Sequence, residues 1–167
     1  MTDWIHGNLR IDRATLAVVE AAAVAAYARD EEACGYLAGP LNEPLLCSQA
    51  IELENLANKY HAIDPAGHPR TGREYFKINS LKFEKALAAG VESNTPVKVF
   101  FHSHLDCGAY FSQEDAASMT NGGTGAPAYA LAYLVTAVDE GKVTAHKLFT
   151  WEPETLTFVE SPLTVTG

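Results

Sequence analysis

The sequence predicts one domain of mixed α/β (α+β) class, in which helices flank a mixed central β-sheet. The chain has 167 residues, close to the size of one domain. Hydrophobic residues make up 47% of it and charged residues 20%, so the chain can bury a sizeable core. Segments with helical spacing of apolar residues alternate with short β-prone segments, and no internal repeat divides them.

Helix and strand signals alternate along the first hundred residues. Asp12 is a suitable N-cap for a helix over residues 12–30, whose apolar residues recur at helical spacing. Strands are predicted over 34–38 and 45–53, followed by a loop containing Pro and Gly over 60–73. A short strand over 75–78 then leads into a helix over 80–89, which Ser80 caps and Gly90 ends.

The remaining residues predict a central strand followed by a hairpin. Residues 97–101 are mostly apolar and β-prone, which is typical of a buried strand. Next come a short helix over 112–119, a flexible loop over 121–125, and strands over 128–138 and 142–151 around a turn at 139–141. We expect a core over about 12–151 of a single domain spanning 1–167, and a tail over 153–167 whose end is loose.

Charge and cysteine content narrow the partners and the location. Twelve Lys and Arg against 21 Asp and Glu give a net charge of −9, which argues against nucleic acid and anionic membranes as partners. No apolar run approaches the ~20 residues of a bilayer span, and a signal-peptide pattern is absent. The cysteines, Cys34, Cys47 and Cys107, have no CxxC spacing and predict no disulfide framework. We therefore expect a cytoplasmic protein.

The strongest chemical motif follows the predicted central strand. His102 and His104 are two residues apart, so their imidazoles leave the same face of a strand. A catalytic zinc site needs a third protein ligand and an open fourth position, and Asp115 on the next helix can supply that ligand. Ser112 lies one helical turn before Asp115, so both side chains could face the metal.

Each part of this motif also has a structural explanation. A lone His-x-His is usually a pair of surface or core histidines. Ser112 followed by Asp115 is also a helix-start pattern, in which serine caps and the acid favours the helix dipole. The complete combination is far rarer by chance than its parts. The capping and metal-site interpretations are also compatible with each other.

The combination resembles the JAMM motif of the MPN (Mov34/PAD-1) zinc metalloproteases, in their small prokaryotic form. His102-Ser103-His104, seven residues, Ser112, two residues and Asp115 match that motif. The segment from Glu32 to the Cys34-Gly35 strand start is similar to the first element of that family. The resemblance covers about residues 12–151 and implies an MPN-like domain with a cytidine-deaminase-like layered architecture. Leu105 replaces a frequent proline, which changes loop stiffness rather than ligand chemistry.

The resemblance also implies roles for these residues. His102, His104 and Asp115 would bind Zn²⁺ together with one water. Glu32 would be the general base, and Ser112 would stabilise the oxyanion. Glu31 is the competing carboxylate, but the family register, with glutamate two residues before cysteine, selects Glu32.

The implied activity is hydrolysis of a peptide or isopeptide bond after the C-terminal Gly-Gly of a ubiquitin-like or sulfur-carrier protein. Processing and deconjugation both remain open, as does a homodimer. The alternative is a non-catalytic MPN scaffold, but such members lack motif positions that this chain keeps. The strings typical of nucleobase deaminases and of HExxH proteases do not occur.

Residues beside the motif suggest further contacts. Asp106 is predicted to accept a hydrogen bond from a ligand imidazole, which would select its tautomer. Cys107 is either a loop residue or a thiolate that competes for zinc.

The loop over 60–73 is a candidate for substrate recognition. His61 and His68 in it are either solvated polar residues or part of a second metal site. Arg70 and Arg73 are local positive charges in an acidic chain and could meet an acidic partner.

Overall fold

The centre of the computed structural model is a six-stranded mixed sheet, and the structure describes residues 2–120 and 125–167. In these residues the strands are β1 (Leu9–Asp12), β2 (Cys34–Ala38), β3 (Leu46–Cys47), β4 (Gln49–Leu53), β5 (Val97–Leu105), β6 (Ala132–Asp139), β7 (Lys142–Glu152), β8 (Thr157–Ser161) and β9 (Leu163–Thr166). The helices are α1 (Arg13–Ala28), α2 (Ala57–Ile63), α3 (Ser80–Glu92) and α4 (Gln113–Met119), and a 3₁₀ turn covers Asp3–His6.

Strand β5 lies inside the main sheet. The strand order is β4-β2-β5-β6-β7-β8, in which only the β5–β6 pair is parallel. A smaller parallel sheet has the order β3-β1-β9. All nine residues of β5 are buried. This mixed α/β domain matches the predicted fold class.

The two faces of the main sheet carry separate cores. On one face, Leu16 and Val19 of α1 pack with Val99 and Phe101 of β5. On the other face, Phe83 of α3 packs with Phe100, and their ring centroids are 5.7 Å apart. Side chains alternate along a strand, so the two histidines of β5 lie on the face of Phe100.

Local signals predicted several elements correctly. Helix α1 begins after Asp12, whose carboxylate accepts a hydrogen bond from the Thr15 amide at 2.7 Å. Strand β2 has the predicted bounds. The β6–β7 hairpin turns at Glu140 and Gly141, whose φ values of 52° and 80° meet the type I′ requirement for positive φ at both positions. Strand β6 begins at Ala132, later than expected.

Four predictions between residues 45 and 92 need correction, and three of them concern where an element begins, ends or divides. The single strand over 45–53 is divided into β3 and β4, which belong to different sheets. The first part of the expected loop over 60–73 lies in α2. Helix α3 is capped by Asn79, which accepts from the Lys82 amide at 3.1 Å, and it continues through Gly90 to Glu92.

The expected strand over 75–78 is also wrong. Asn55 donates to the Tyr75 carbonyl at 2.9 Å and accepts from the Lys77 amide at 3.1 Å. One side-chain amide therefore satisfies backbone groups that a strand partner would otherwise pair. The segment is irregular but ordered by these bonds.

The C-terminal residues are not loose, contrary to expectation. Strand β8 pairs with β7, and β9 pairs in parallel with β1 near the N-terminus. Residues 121–124 of the predicted flexible loop lie outside the described residues. Within the described part of the chain, every helix is too short or too polar to cross a bilayer.

Candidate metal centre

Two buried histidines and a buried aspartate converge at the C-terminal end of β5. His102 Nε2 lies 3.0 Å from Asp115 Oδ2, and His104 Nε2 lies 3.2 Å from the same oxygen. The two Nε2 atoms are 3.2 Å apart. The three side chains thus direct their polar atoms at one point.

Glu32 brings a fourth donor to this point. One donor atom from each of Glu32, His102, His104 and Asp115 lies within 4.8 Å of all the others. Each of the four residues is at least 96% buried. Among the described residues, no other group of three or more His, Cys, Asp or Glu side chains meets this condition.

Backbone pairing holds Glu32 beside the histidines. The next residue, Ala33, donates its amide to Ser103 Oγ at 2.7 Å, and the Ser103 amide donates to the Ala33 carbonyl at 3.0 Å. Asn55 donates to the Glu32 carbonyl at 3.0 Å, and the Glu32 amide donates to the Gly72 carbonyl at 2.6 Å. The glutamate backbone is therefore attached to three separate segments.

Ser112 and Asp115 form a capping box at the start of α4. The Asp115 amide donates to Ser112 Oγ at 3.0 Å, and the Ser112 amide donates to Asp115 Oδ2 at 3.0 Å. The oxygen that accepts from Ser112 is the one that faces both imidazoles. The cap thus orients Asp115, and the structural explanation of this pattern coexists with a site role.

The hydrogen bonds of His104 select a tautomer that can bind a metal. Its Nδ1 lies 2.9 Å from the Gly108 carbonyl. A carbonyl oxygen only accepts, so Nδ1 carries the hydrogen and Nε2 offers a lone pair to the cluster. This arrangement is common in histidines that bind metal ions. His102 Nδ1 has no hydrogen-bond partner among the described residues, and the Phe76 ring packs 4.9 Å from its imidazole centroid.

The two carboxyls have opposite electrostatic environments. Burial, followed by repulsion from Asp115, raises the pKa of Glu32 well above its ordinary value. Burial would also raise the pKa of Asp115, but attraction to His102 and hydrogen bonds from His102 and the Ser112 amide lower it. The Asp115 carboxyl is therefore held ionised, the form that binds a cation.

The donor set fits a divalent metal ion. Four ligands at tetrahedral angles and 2.0–2.1 Å from zinc lie about 3.3 Å from one another. The three separations among His102, His104 and Asp115 are 3.0–3.2 Å. Buried Glu32 Oε1 has no partner among the described residues, so it offers a free acceptor beside these ligands. Two nitrogens and one ionised oxygen are typical of catalytic zinc sites.

Asp106 does not accept from a ligand imidazole, and that prediction is wrong. Its carboxylate accepts from the Tyr27 hydroxyl and the Glu140 amide at 2.9 Å each, and from Arg73 at 3.3 Å. With φ of 56° it turns the chain out of β5, and its side chain reaches α1 and the hairpin turn. The Gly108 carbonyl takes the role expected of Asp106.

Other residues near the motif lie outside the cluster. Glu31 pairs with Arg29 at 3.0 Å rather than joining the histidines. Cys107 is exposed and is not one of the four converging residues. His61 contacts the His68 carbonyl at 2.8 Å, and neither imidazole belongs to a group of metal donors in the described chain.

The sequence reasoning missed the residues that hold the donors in place. Ser103 stands inside the motif, and its position between the two histidines was the only available signal. Asn55 and Gly108 act through contacts with residues that no local pattern connects to them.

Comparisons with known proteins agree on the fold. The family model for prokaryotic homologues of the JAB domain matches residues 16–151. A solution structure of a Desulfitobacterium hafniense protein has 18% identity and a TM-score of 0.69, covering 95% of this chain and 92% of that one. A Salinibacter ruber protein has 19% identity and a TM-score of 0.59, with the same coverage.

An Archaeoglobus fulgidus JAB1/MPN domain protein has 16% identity and a TM-score of 0.54, covering 96% of this chain and 99% of that one. A search of the curated proteins found no match. At these identities the structures show a shared fold, and the family match spans most of the chain and all four converging residues. The chain belongs to the prokaryotic JAB-domain family.

Proposed function

We propose that this protein is a zinc-dependent metallopeptidase. Its substrate would be the peptide or isopeptide bond after the C-terminal Gly-Gly of a ubiquitin-like or sulfur-carrier protein. The observation that carries the proposal is the buried convergence of Glu32, His102, His104 and Asp115. Membership of a family that includes metalloproteases supports it.

His102, His104 and Asp115 would hold the metal, because their three donor atoms already lie at ligand–ligand separations. When bound, zinc would supply Lewis acidity and make water at the site more acidic. Glu32 would take the proton of the attacking water on its unpartnered Oε1 and pass it to the leaving amine. Its raised pKa suits a group that must accept and then release a proton near neutral pH.

Ser112 would donate a hydrogen bond to the oxyanion. Its Oγ accepts from the Asp115 amide, and no described residue accepts its hydroxyl hydrogen. A fixed hydroxyl at the edge of the cluster can therefore point at charge that develops on the substrate carbonyl.

The tail of the substrate has a candidate path beside Glu32. A cleft of about 360 Å³ is lined by Glu32 and Ala33, by the end of β4, and by Asn55. Strand β4 is at the edge of the main sheet, where an extended peptide can add a strand through backbone hydrogen bonds. Glycines would allow the peptide backbone to approach the buried donors most closely.

The proposal can be tested in two stages. Purified protein should contain one zinc per chain, and the His104→Ala variant should contain almost none by elemental analysis. Equal zinc in both samples would refute the assigned ligands. Glu32→Gln should keep zinc and the fold but lose most hydrolysis, because it removes the proton acceptor and no ligand.

The substrate stage uses mass spectrometry. The protein is mixed with a ubiquitin-like protein that ends in Gly-Gly plus extra residues, with a copy whose glycines are replaced by bulky residues, and with a lysine-linked conjugate. Cleavage of the first protein alone indicates processing, and cleavage of the conjugate alone indicates deconjugation. Cleavage of none of them by the zinc-loaded protein would favour a non-catalytic scaffold.

A further inference from the structure

A small basic and aromatic pocket lies in the segment that precedes α3. Its cavity is about 190 Å³, and we call it the Arg70 pocket. Its lining includes Tyr60, His68, Arg70, Tyr75 and Lys77. No carboxylate among the described residues lines it, although the whole chain carries a net charge of −9.

The two cations of this pocket are not fully neutralised. Lys77 forms no ion pair with any described residue, and its ammonium lies 6.0 Å from the centroid of the Tyr60 ring. The Arg70 guanidinium donates to the Glu74 carbonyl at 2.8 Å and lies 5.2 Å from the centroid of Tyr75, and its contact with the Glu114 carboxylate is a long 3.9 Å. Such a long, partly exposed ion pair is weak, and Arg70 can exchange Glu114 for another anion at little cost.

The other cations of this segment are already paired. Arg73 is bonded to Asp30 and to Asp106, and Lys59 lies 3.0 Å from Glu54. Of the two arginines that the sequence suggested for recognition, Arg73 is therefore held by acids of the protein itself. Arg70 donates to one backbone carbonyl, and its remaining N–H groups can receive a ligand.

The Arg70 pocket is connected to the metal centre through the Asn55 side chain. Asn55 bonds both the Glu32 carbonyl and the Tyr75 carbonyl, at 3.0 and 2.9 Å. On the other side, Arg70 faces Glu114, the residue before the candidate ligand Asp115. A substrate bound at Glu32 would therefore place its neighbouring residues near this pocket.

We propose that the Arg70 pocket binds a carboxylate of the substrate, next to the bond that is cleaved. This rests on the proposed peptidase function and adds a preference to it. A guanidinium presents a planar pair of donors that matches a carboxylate, and Lys77 adds a second charge beside it. The carboxylate would be either the free C-terminus of a short extension after Gly-Gly or an Asp or Glu side chain in that extension.

Four peptides separate these sources. All contain Gly-Gly followed by two residues. The first has an alanine extension with a free carboxyl end, and the second is its amidated form. The third and fourth are amidated and carry glutamate or glutamine in the extension. Binding is measured by calorimetry to zinc-loaded Glu32→Gln protein, in which the peptides should stay intact.

We expect the free acid to bind more tightly than its amide, or the glutamate peptide more tightly than the glutamine peptide. The favoured pair identifies the source of the carboxylate. Arg70→Gln should lower the affinity for the favoured peptide about tenfold to a hundredfold, because a charge-assisted hydrogen bond is lost. Lys77→Gln should reduce the same preference. Lys85→Gln removes one exposed charge from α3 and should leave the preference unchanged.

Equal binding of all four peptides would overturn the proposal, as would a preference that survives both Arg70→Gln and Lys77→Gln. Cleavage of the same peptides by the unmodified protein is measured separately. Cleavage without a carboxylate preference would refute the pocket and keep the peptidase. A carboxylate preference without cleavage would refute the peptidase and keep the pocket as a binding site.

Discussion

Replacing Ser112 separates its structural role from its chemical role. In Ser112→Ala, the Asp115 amide loses the acceptor that now lies 3.0 Å away. Removing an N-cap side chain costs about 1 kcal/mol of folding free energy, within a range of about 0.5–2 kcal/mol. For a domain of this size, 1 kcal/mol corresponds to a fall in Tm of about 2–4 °C. Urea unfolding followed by circular dichroism measures the change directly.

The same substitution should affect metal binding only moderately. The backbone amide of residue 112 remains and still donates to Asp115 Oδ2, so the ligand keeps one of its orienting bonds. We expect metal affinity to fall by about tenfold, the lower end of what is lost with residues that support a ligand. Hydrolysis at saturating zinc should fall by about 10²–10³ if the hydroxyl donates to the oxyanion.

Two further substitutions make this result interpretable. Ser112→Gly removes the hydroxyl but costs only a few tenths of a kcal/mol at an N-cap, so it should lose rate and keep stability. Ser112→Thr keeps both the hydroxyl and the cap and should retain most of each property. Unchanged stability in Ser112→Ala would refute the capping argument. An unchanged rate in Ser112→Gly would refute the oxyanion role.

Three other perturbations test the rest of the structure. Lys98→Met should lower the free energy of unfolding by about 1–3 kcal/mol, because the buried Lys98 ammonium donates to three backbone carbonyls at 2.8–2.9 Å. An unchanged midpoint in urea unfolding would contradict this. The Glu140 amide and the Tyr27 hydroxyl lower the pKa of Asp106 below 3.8, so the stability that its carboxylate contributes is present above that pH and is lost as pH falls through the lowered pKa. Asp106→Asn should therefore make the free energy of unfolding depend less on pH in the acid range, and identical acid-range curves for both proteins would refute this. Free zinc at 100 times its Kd should raise the free energy of unfolding by about 2.7 kcal/mol, which corresponds to about 5–10 °C in Tm. A similar shift in His104→Ala would show that the metal binds elsewhere.

Signals that act over a few residues were read correctly from the sequence. The Asp12 cap, the period of α1, the Glu140-Gly141 turn and the apolar run of β5 are each set by neighbours along the chain. The alternation of β5 also placed His102 and His104 on one face. The resemblance added Glu32, a residue that no local pattern connects to the histidines.

Contacts between segments that are distant in the sequence decided the elements that local signals predicted wrongly. Asn55 pairs with backbone groups around Tyr75, about 20 residues along the chain, and this prevented a strand that the local composition favoured. Strand β9 is ordered by β1, which lies at the opposite end of the sequence. Neither the irregular segment around Tyr75 nor the β1–β9 pairing can be predicted from the periodicity of apolar residues, because each depends on which distant segment the folded chain places next to it.

By itself, the sequence determined the fold class, the strand and helix that carry the motif, and three of the converging residues, His102, His104 and Asp115, while the family resemblance added Glu32. The tertiary structure alone decided that the Gly108 carbonyl, and not Asp106, selects the His104 tautomer. It also decided that Arg73 is held by acids while Arg70 faces a pocket. The reason is physical: residue type and spacing specify which groups can pair, but a hydrogen bond or ion pair forms only with the partner that folding places within about 3 Å.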